Sequence, residues 1–328
     1  MDLTVIVPCY NSENTIKRCI DSLISQTEEV HILIVNDGSN DRTLSIAEQY
    51  AAKFSNIEVL SHNNIGLPQT RKAGLQKVTT KWVGFVDSDD YVEKNMMKTL
   101  CDLAEKNAAE IAVCGLYFDS YNGIKISNQH LKDGYCMNGI EALHRLHKRS
   151  GIYSFLCNKI FLTSFLKQFD FPTGNFLGED YATILPCLKK TKRLCVSASP
   201  FYHYMLHENS MSKSGYNFAY RKAFDTYKNL FEQYKDDTIV AGENNEMADY
   251  LCVEFSAIYV AMIRNSNFDN EVVKYLRDFF KKYANSLIQE KYVKLYFKVS
   301  ILLIAFTPFI FRVIYKALKG IILPFIKK

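Results

Sequence analysis

The residues best suited to chemistry fall in two acidic clusters. In the first, the apolar run Trp82-Val83-Gly84-Phe85-Val86 breaks directly into Asp87-Ser88-Asp89-Asp90. Two carboxylates at i and i+2 beside a strand end can turn one side chain toward a metal and the other toward a neighbouring ligand group. The second cluster is Gly178-Glu179-Asp180-Tyr181, which leads into the apolar stretch 181–188. Each cluster also has a purely structural use. The first suits an acidic turn capping a helix from Glu93 to Asn107, and the second suits favourable charge at a helix N-terminus.

The elements that must position these carboxylates follow from the apolar pattern. Trp82–Asp87 is too short for a helix and rich in Val and Phe, so it reads as a buried strand with its acids at the carboxyl end. That end is where open α/β sheets place their ligand crevice. Leu3–Val7 is a first strand, followed by Pro8-Cys9-Tyr10-Asn11 and a helix with Ile16, Cys19, Ile20, Leu23 and Ile24 on one face. His31–Val35 is a second strand ending in Asn36-Asp37-Gly38-Ser39-Asn40-Asp41, with Asp41 capping a helix to about residue 53. Ile57–Ser61 is a third strand, and Asn64-Ile65-Gly66-Leu67-Pro68 turns into a helix through about Val78. This alternation implies a largely parallel sheet with helices on both faces and right-handed crossovers.

Tyr10, Asp37, Arg71 and Asp87 to Asp89 then lie at or next to the carboxyl ends of successive strands and could converge on one crevice. No GxGxxG follows the first strand, which counts against a dinucleotide fingerprint. A nucleotide recognised by side chains remains: an aromatic ring to stack on, an acid for a base edge, and acids for ribose and metal.

Farther along, Ile111–Gly115 is another core strand, Leu116–Met137 an irregular hairpin region around Asn122-Gly123, and Ile140–Arg149 a helix. Asn158-Lys159-Ile160-Phe161 reads as the opening of a helix to about Phe169. Residues 216–288 are mixed helix, with Leu251, Phe255, Ile258, Tyr259 and Met262 as a core stripe.

With 328 residues, 48% of them hydrophobic, the chain can bury a sizeable core. Its nine cysteines form no CxxC pair, which argues against a disulfide framework and for a reducing compartment. The amino terminus does not have the pattern of a secretory signal. The net charge of +5 is a property of the tail: residues 291–328 hold eight Lys and Arg residues and no acid, so the rest of the chain is net acidic. A nucleic-acid-binding body is therefore not indicated. Within that tail, Val299–Phe311 is uncharged over thirteen residues and interrupted by Pro308, whereas a spanning helix needs roughly 20 apolar residues. Short helices lying in a membrane interface, lysines toward anionic headgroups, fit better than a spanning segment or a helix docked on the protein's own surface.

Four segments in order carry a resemblance: Val7-Pro8-Cys9-Tyr10-Asn11; Val35-Asn36-Asp37-Gly38-Ser39-Asn40-Asp41; Asn64-Ile65-Gly66 with Arg71-Lys72-Ala73-Gly74; and Phe85-Val86-Asp87-Ser88-Asp89-Asp90. Together they resemble the nucleotide-sugar domain of family 2 glycosyltransferases, densely over the first 115 residues and more thinly to about residue 215. The resemblance implies a GT-A fold, a Rossmann-like, mostly parallel sheet with a C-terminal helical extension. It marks a nucleotide-sugar half (1–115) and an acceptor half (116–215), after which the residue pattern gives a helical region (216–290) and basic membrane-associating helices (291–328).

What the resemblance implies for the site is specific. Pro8 and Tyr10 lie near the nucleobase, Asp37 reads the base edge, and Arg71 lies close to the nucleotide. The DXD motif is Asp87-Ser88-Asp89, with Asp87 near the ribose and Asp89 on a divalent cation, Mn²⁺ or Mg²⁺, that offsets charge on the departing diphosphate. Asp180 is the expected catalytic base of an inverting transfer, with Glu179 orienting the acceptor or supporting the base. The tyrosine-rich strand and serine-containing loop of the family match residues 201–212, but Met205 stands where an arginine is common. His203 or His207 could enter a metal or phosphate shell.

The implied activity is transfer of a sugar from a nucleotide donor, UDP-linked, to a lipid-linked or polymer glycan at the cytoplasmic face of the plasma membrane, in capsule or exopolysaccharide synthesis. The alternatives are transfer to a polyol-phosphate polymer such as teichoic acid, and a catalytically silent, membrane-recruited binding protein.

Overall fold

The computed structural model describes residues 1–120, 123–127, 131–206, 215–242, 245–290 and 293–316. Two compact units emerge, one of residues 1–146 and 151–208, the other of 147–150 and 209–328.

The first unit is a sheet of ten strands among the described residues. These are β1 (Leu3–Cys9), β2 (His31–Asp37), β3 (Ile57–His62), β4 (Trp82–Phe85), β5 (Tyr91–Val92), β6 (Ile111–Ser120), β7 (Gly123–Ser127), β8 (Tyr135–Met137), β9 (Lys159–Leu162) and β10 (Leu194–Met205). Its helices are α1 (Ile16–Ile24), α2 (Thr43–Ala51), α3 (Leu67–Lys77), α4 (Met96–Lys106), α5 (Gly139–His147), α6 (Thr163–Leu166) and α7 (Glu179–Lys190). The strand order is β3-β2-β1-β4-β9-β6-β10-β5, with β7 on β6 and β8 on β10.

β1 is buried along its whole length and pairs in parallel with β2 and β4, as a continuous apolar strand in a doubly covered sheet should. Alternation along the strands assigns the helices to faces. Val5, Val7, Ile32 and Ile34 share one core with Ile16, Cys19, Ile20 and Leu23 of α1. Ile6 and Val35 point the other way, where α3 meets them at Gly74: a Cβ there would stand 2.9 Å from Ile6 Cγ2 and 3.0 Å from Val35 Cγ2.

The first parallel run stops at β4, and parallel pairing returns only between β6 and β10. The other neighbour of β4 is β9, which runs antiparallel to both β4 and β6, so the sheet is mixed in its second half. Residues 159–162 are thus strand and not the start of a helix, and only the short α6 follows. Ile160 and Phe161 are fully buried in the gap between β4 and β6, and Phe161 meets Phe85 edge-on at 6.3 Å. A four-residue apolar run carries no period long enough to separate strand from helix, so tertiary pairing decides it.

Cysteine usage also differs in one pair from the sequence reading. Cys136 of β8 and Cys195 of β10 are register partners joined by a disulfide, while the other seven are buried thiols outside any disulfide. A separation of 59 residues gives the sequence no signal for that pairing.

The second unit contains α8 (Phe218–Tyr234), α9 (Thr238–Ala241), α10 (Glu246–Asn265), α11 (Asn270–Gln289) and α12 (Leu295–Phe306), with residues 308–316 also helical. Its core is aromatic: Phe255 of α10 meets Phe224 of α8 at 5.8 Å and Phe279 of α11 at 5.0 Å.

Because α3 lies against Ile6 and Val35 at Gly74 with no room for a Cβ, Gly74→Ala should lower stability by about 1–2 kcal/mol. Overpacking of about 1–3 kcal/mol is partly offset by the better helix propensity of alanine. The urea midpoint read by circular dichroism tests this, and an unchanged or higher midpoint would contradict the packing account.

Candidate active site

The parallel run of β1, β2 and β4 brings their carboxyl ends side by side, and polar ties hold the loops together there. Asn11 N–H donates to Ser39 Oγ (3.0 Å), Asn40 N–H to Asn11 Oδ1 (2.9 Å), and Ser12 and Ser88 join through their hydroxyls (2.8 Å). Tyr10 projects from the end of β1 with its side chain exposed, whereas Pro8 is buried within the strand opposite Val35. Pro8 is therefore a core residue here, not a group facing a ligand.

Asp37 is buried, and both its carboxylate oxygens accept backbone amides, Oδ1 from Ile65 (2.7 Å) and Oδ2 from Gly66 (3.0 Å). Its visible task is to hold the loop into α3. The far side of that loop is also clasped: Leu67 N–H donates to Asn175 Oδ1 (2.7 Å), and Gln69 Nε2 to the carbonyls of Phe171 and Pro172 (2.8 and 3.0 Å). The segment before α7 is thereby fastened to the start of α3.

Arg71 is the hub of the site. Its side chain is 1% exposed; Nη2 donates to Asp87 Oδ1 (2.7 Å), and Nη1 to Glu179 Oε1 (2.7 Å) and Asp180 Oδ1 (3.0 Å). The two acidic clusters, about ninety residues apart in sequence, therefore meet on one guanidinium. Glu179 and Asp180 form the first turn of α7, whose N-terminal dipole favours negative charge. The preceding Gly178 has φ +82°, a left-handed conformation that glycine adopts without steric cost.

Three carboxylates against one guanidinium leave excess negative charge in a buried place. Burial pushes Glu179 up to about 8, with Asp180 and Asp87 adding to the shift and Arg71 opposing it. Burial also raises Asp180, against the pull of Arg71 and of nearby Lys159. Arg71 itself is held protonated by its three partners, although burial works against its charge.

Asp90, the last acid of the first cluster, has a different job. Asp87 N–H donates to the Tyr202 hydroxyl oxygen (3.2 Å), the Tyr202 O–H donates to Asp90 Oδ2 (2.6 Å), and Met205 N–H donates to Asp90 Oδ1 (2.7 Å). The Asp87–Asp90 turn is thus fixed to β10. Burial, followed by the charges of Asp89 and Asp87, raises the Asp90 carboxyl well above the usual range.

The oxygen-only motif Asp87-Ser88-Asp89 has the donor chemistry that a hard divalent cation requires. Asp89, its last residue, is half-buried. Ligand atoms of Asp87, Asp90 and Cys157 also come within 4.8 Å of one another. That group fits Mn²⁺ or Mg²⁺ less well, since Asp90 is engaged by β10 and Cys157 offers a soft thiol whose proton burial holds firmly.

His203 is a correction. Its Nδ1 lies 3.0 Å from Asp119 Oδ2 and its Nε2 2.9 Å from Glu93 Oε1, and its ring is stacked between Tyr91 and Tyr117 at 4.0 and 4.5 Å. With both nitrogens engaged, it is a structural residue of the β5–β10–β6 region and not a metal ligand. His207 lies outside the described residues.

Lys159 was not singled out as a site residue from sequence, yet it is fully buried beside the acids. Its Nζ donates to the carbonyls of Tyr153 (2.9 Å) and Phe155 (2.5 Å) and to Asn158 Oδ1 (2.8 Å). Burial draws its ammonium down to about 8. The available signal was a lone lysine inside the run Leu156-Cys157-Asn158-Lys159-Ile160-Phe161.

The family model for glycosyl transferase family 2 matches residues 4–168, half of the chain, including β1, Asp37, Arg71 and Asp87–Asp89. The chain belongs to this family. Among curated relatives, the uncharacterized glycosyltransferase EpsJ of Bacillus subtilis is 43% identical over 36% of this chain and 35% of its own length. Glycosyltransferase GlyA of Streptococcus pneumoniae is 31% identical over 64% of this chain and 31% of its own. The chain thus spans about a third of the length of these relatives. The poly(ribitol-phosphate) beta-N-acetylglucosaminyltransferase TarS of Staphylococcus aureus is 27% identical over 78% of this chain and 44% of its own. A crystal structure of TarS residues 1–349 with UDP-GlcNAc superposes with a TM-score of 0.69 at 23% identity, over 87% of this chain and 83% of that one. The fold is accordingly that of a GT-A glycosyltransferase with C-terminal helices.

Removing the hub cation should expose the charge imbalance. Arg71→Met is expected to cost about 3–5 kcal/mol at pH 8, because buried carboxylates lose their partner, and less at pH 5, where the Glu179 carboxyl holds its proton. In the wild type, the Glu179 carboxyl holds its proton to a higher pH when folded (about 8) than when unfolded (4.5), so its contribution to stability falls as pH rises through that window. Urea unfolding of both proteins at the two pH values tests this, and equal losses would contradict it.

Proposed function

We propose that this chain is an inverting, metal-dependent glycosyltransferase that moves a sugar from a UDP-linked donor to a hydroxyl of a membrane-associated glycan in surface-polysaccharide synthesis. The supporting observation is the convergence of Asp87 from the DXD motif and Glu179-Asp180 from α7 on Arg71. Donor-side and acceptor-side acids then border one crevice at the carboxyl ends of the strands. The UDP-GlcNAc complex of TarS, a structural neighbour, supports the choice of base.

In this reading Tyr10 offers its exposed ring to the nucleobase, and Asp37 shapes the adjoining loop. Asp87 faces the ribose side, and Asp89, with Asp87 and Ser88 beside it, would hold the divalent cation. When bound, such a cation stabilises negative charge on the leaving diphosphate. Asp180 accepts the proton from the acceptor hydroxyl as its oxygen forms a bond to the anomeric carbon and the carbon–oxygen bond to the diphosphate breaks. A carboxyl raised above the usual aspartate range is a better base near neutrality, and Arg71 keeps it oriented. Glu179, whose Oε2 is buried with no partner among the described residues, supports the base or orients the acceptor.

A polyol-phosphate polymer is a second acceptor class. It is favoured by the likeness to TarS, which extends over most of the chain.

The deciding experiment is donor binding and slow donor hydrolysis across UDP, GDP and TDP sugars, with Mn²⁺, Mg²⁺ or EDTA. A UDP sugar should be bound and hydrolysed only with metal, and Asp89→Asn should lose both. Absence of any metal-dependent interaction would favour a silent binding protein. Asp180→Asn should retain donor binding while transfer, once an acceptor is found, falls about 10²–10⁴-fold. Because burial raises Asp180, the acid limb of kcat/KM should lie above the ordinary aspartate range.

A further inference from the structure

Exposed large apolar side chains concentrate at the end of the second unit. On α12, Leu295 (75% exposed), Val299 and Phe306 (61%) are exposed, and their spacing places them along one stripe. The inward side of the same helix carries Ile301, Ile304 and Ala305, all fully buried.

The helical residues 308–316 repeat this two-sidedness. Phe311 and Tyr315 are buried, Phe311 meets Tyr259 of α10 at 6.1 Å, and Arg312 Nε donates to the Tyr259 hydroxyl (2.9 Å). This stretch is docked on its own unit, and it still exposes Phe309 (74%), Ile310 and Val313. Apolar residues on both the docked and the free sides are unnecessary for a helix that meets only water.

Charge identifies the occupant. Residues 291–328 carry eight cations and no acid, and Lys294 and Lys316 are exposed among the described ones. A two-fold contact between copies would place this basic segment against itself. An anionic surface is complementary to it. Spanning is not the mode: among the described residues no helix is long and apolar enough to cross a membrane, and the twelve residues of α12 reach about 18 Å against a hydrocarbon core of roughly 30 Å.

We propose that the free face formed by Leu295, Val299, Phe306, Phe309, Ile310 and Val313 docks in the plane of an anionic lipid bilayer, with flanking lysines at the headgroups. Apolar insertion and attraction to acidic lipid reinforce each other in such a contact. The inference gives residues to the membrane side of the proposed function and rests on that reading only for the location of the acceptor. Donor binding, read separately, distinguishes failure of one from failure of the other.

The test is flotation of the full chain with vesicles of phosphatidylcholine alone or with one third phosphatidylglycerol, at low and high salt, alongside sedimentation without vesicles. Binding should require the anionic lipid and weaken with salt. Phe309→Glu combined with Val313→Glu should reduce it about ten-fold or more while the thermal melt and donor binding stay unchanged. Leu295→Glu, at an exposed site on the other helix, should also weaken it and serves if the pair disturbs folding. No flotation with either lipid, or flotation indifferent to both sets of substitutions, would overturn the proposal. So would a dimer that the substitutions dissociate in a protein that does not float.

Discussion

The Arg71 guanidinium among three carboxylates is the contact on which the polar cluster at the strand ends depends. It joins α3, the end of β4 and the start of α7, elements that share no local sequence, through charge-assisted bonds of 2.7–3.0 Å. A cation so deeply buried is stable only with partners, and the acids are equally in need of it. Neighbouring features hold the hub at its position. Gly74, three residues on, lets α3 lie against β1 and β2, while Asp37 and Asn175 grip the loop that begins α3 from its two sides. The Asp90–Tyr202 bond does the same for the β4 turn.

The parallel half of the sheet was legible in the sequence because its strands are long apolar runs followed by amphipathic helices, a pattern with one structural solution. The placement of Tyr10, Asp37 and Asp87 at or just past the strand ends followed from the same rule. What each side chain bonds was not legible. Asp37 turns its carboxylate to backbone amides, and His203 is held between Asp119 and Glu93, since both choices are made by residues far away in the chain. β9 was misread as helix for a related reason: four apolar residues have no period of their own and adopt the pairing offered by β4 and β6. The Cys136–Cys195 link and the buried Lys159 likewise depend on strand neighbours that sequence spacing does not reveal.

The two units obtain stability differently. In the first, an aliphatic sheet core supports a polar rim of crossed loop contacts. In the second, edge-on aromatic rings between α8, α10 and α11 fill the interior. Such rings cover large areas with few rotatable bonds. This gives a firm platform for the helical residues 308–316, which rest on it through Phe311 against Tyr259 of α10.

The position of β9 governs the order in which the molecule can be made. A chain emerging amino terminus first can pair β1 with β2 and β4, but β4 keeps a bare edge, and β6 lacks the strand between them, until residue 162 has been synthesised. The Arg71 hub waits longer still, for Glu179 and Asp180. Nascent chains stalled before that point present an open β edge and a buried-type arginine without its acids, the situation in which holding by a chaperone matters most. The motifs of the first ninety residues thus lie in order along the chain but depend for their folding on sequence from the opposite half of the unit.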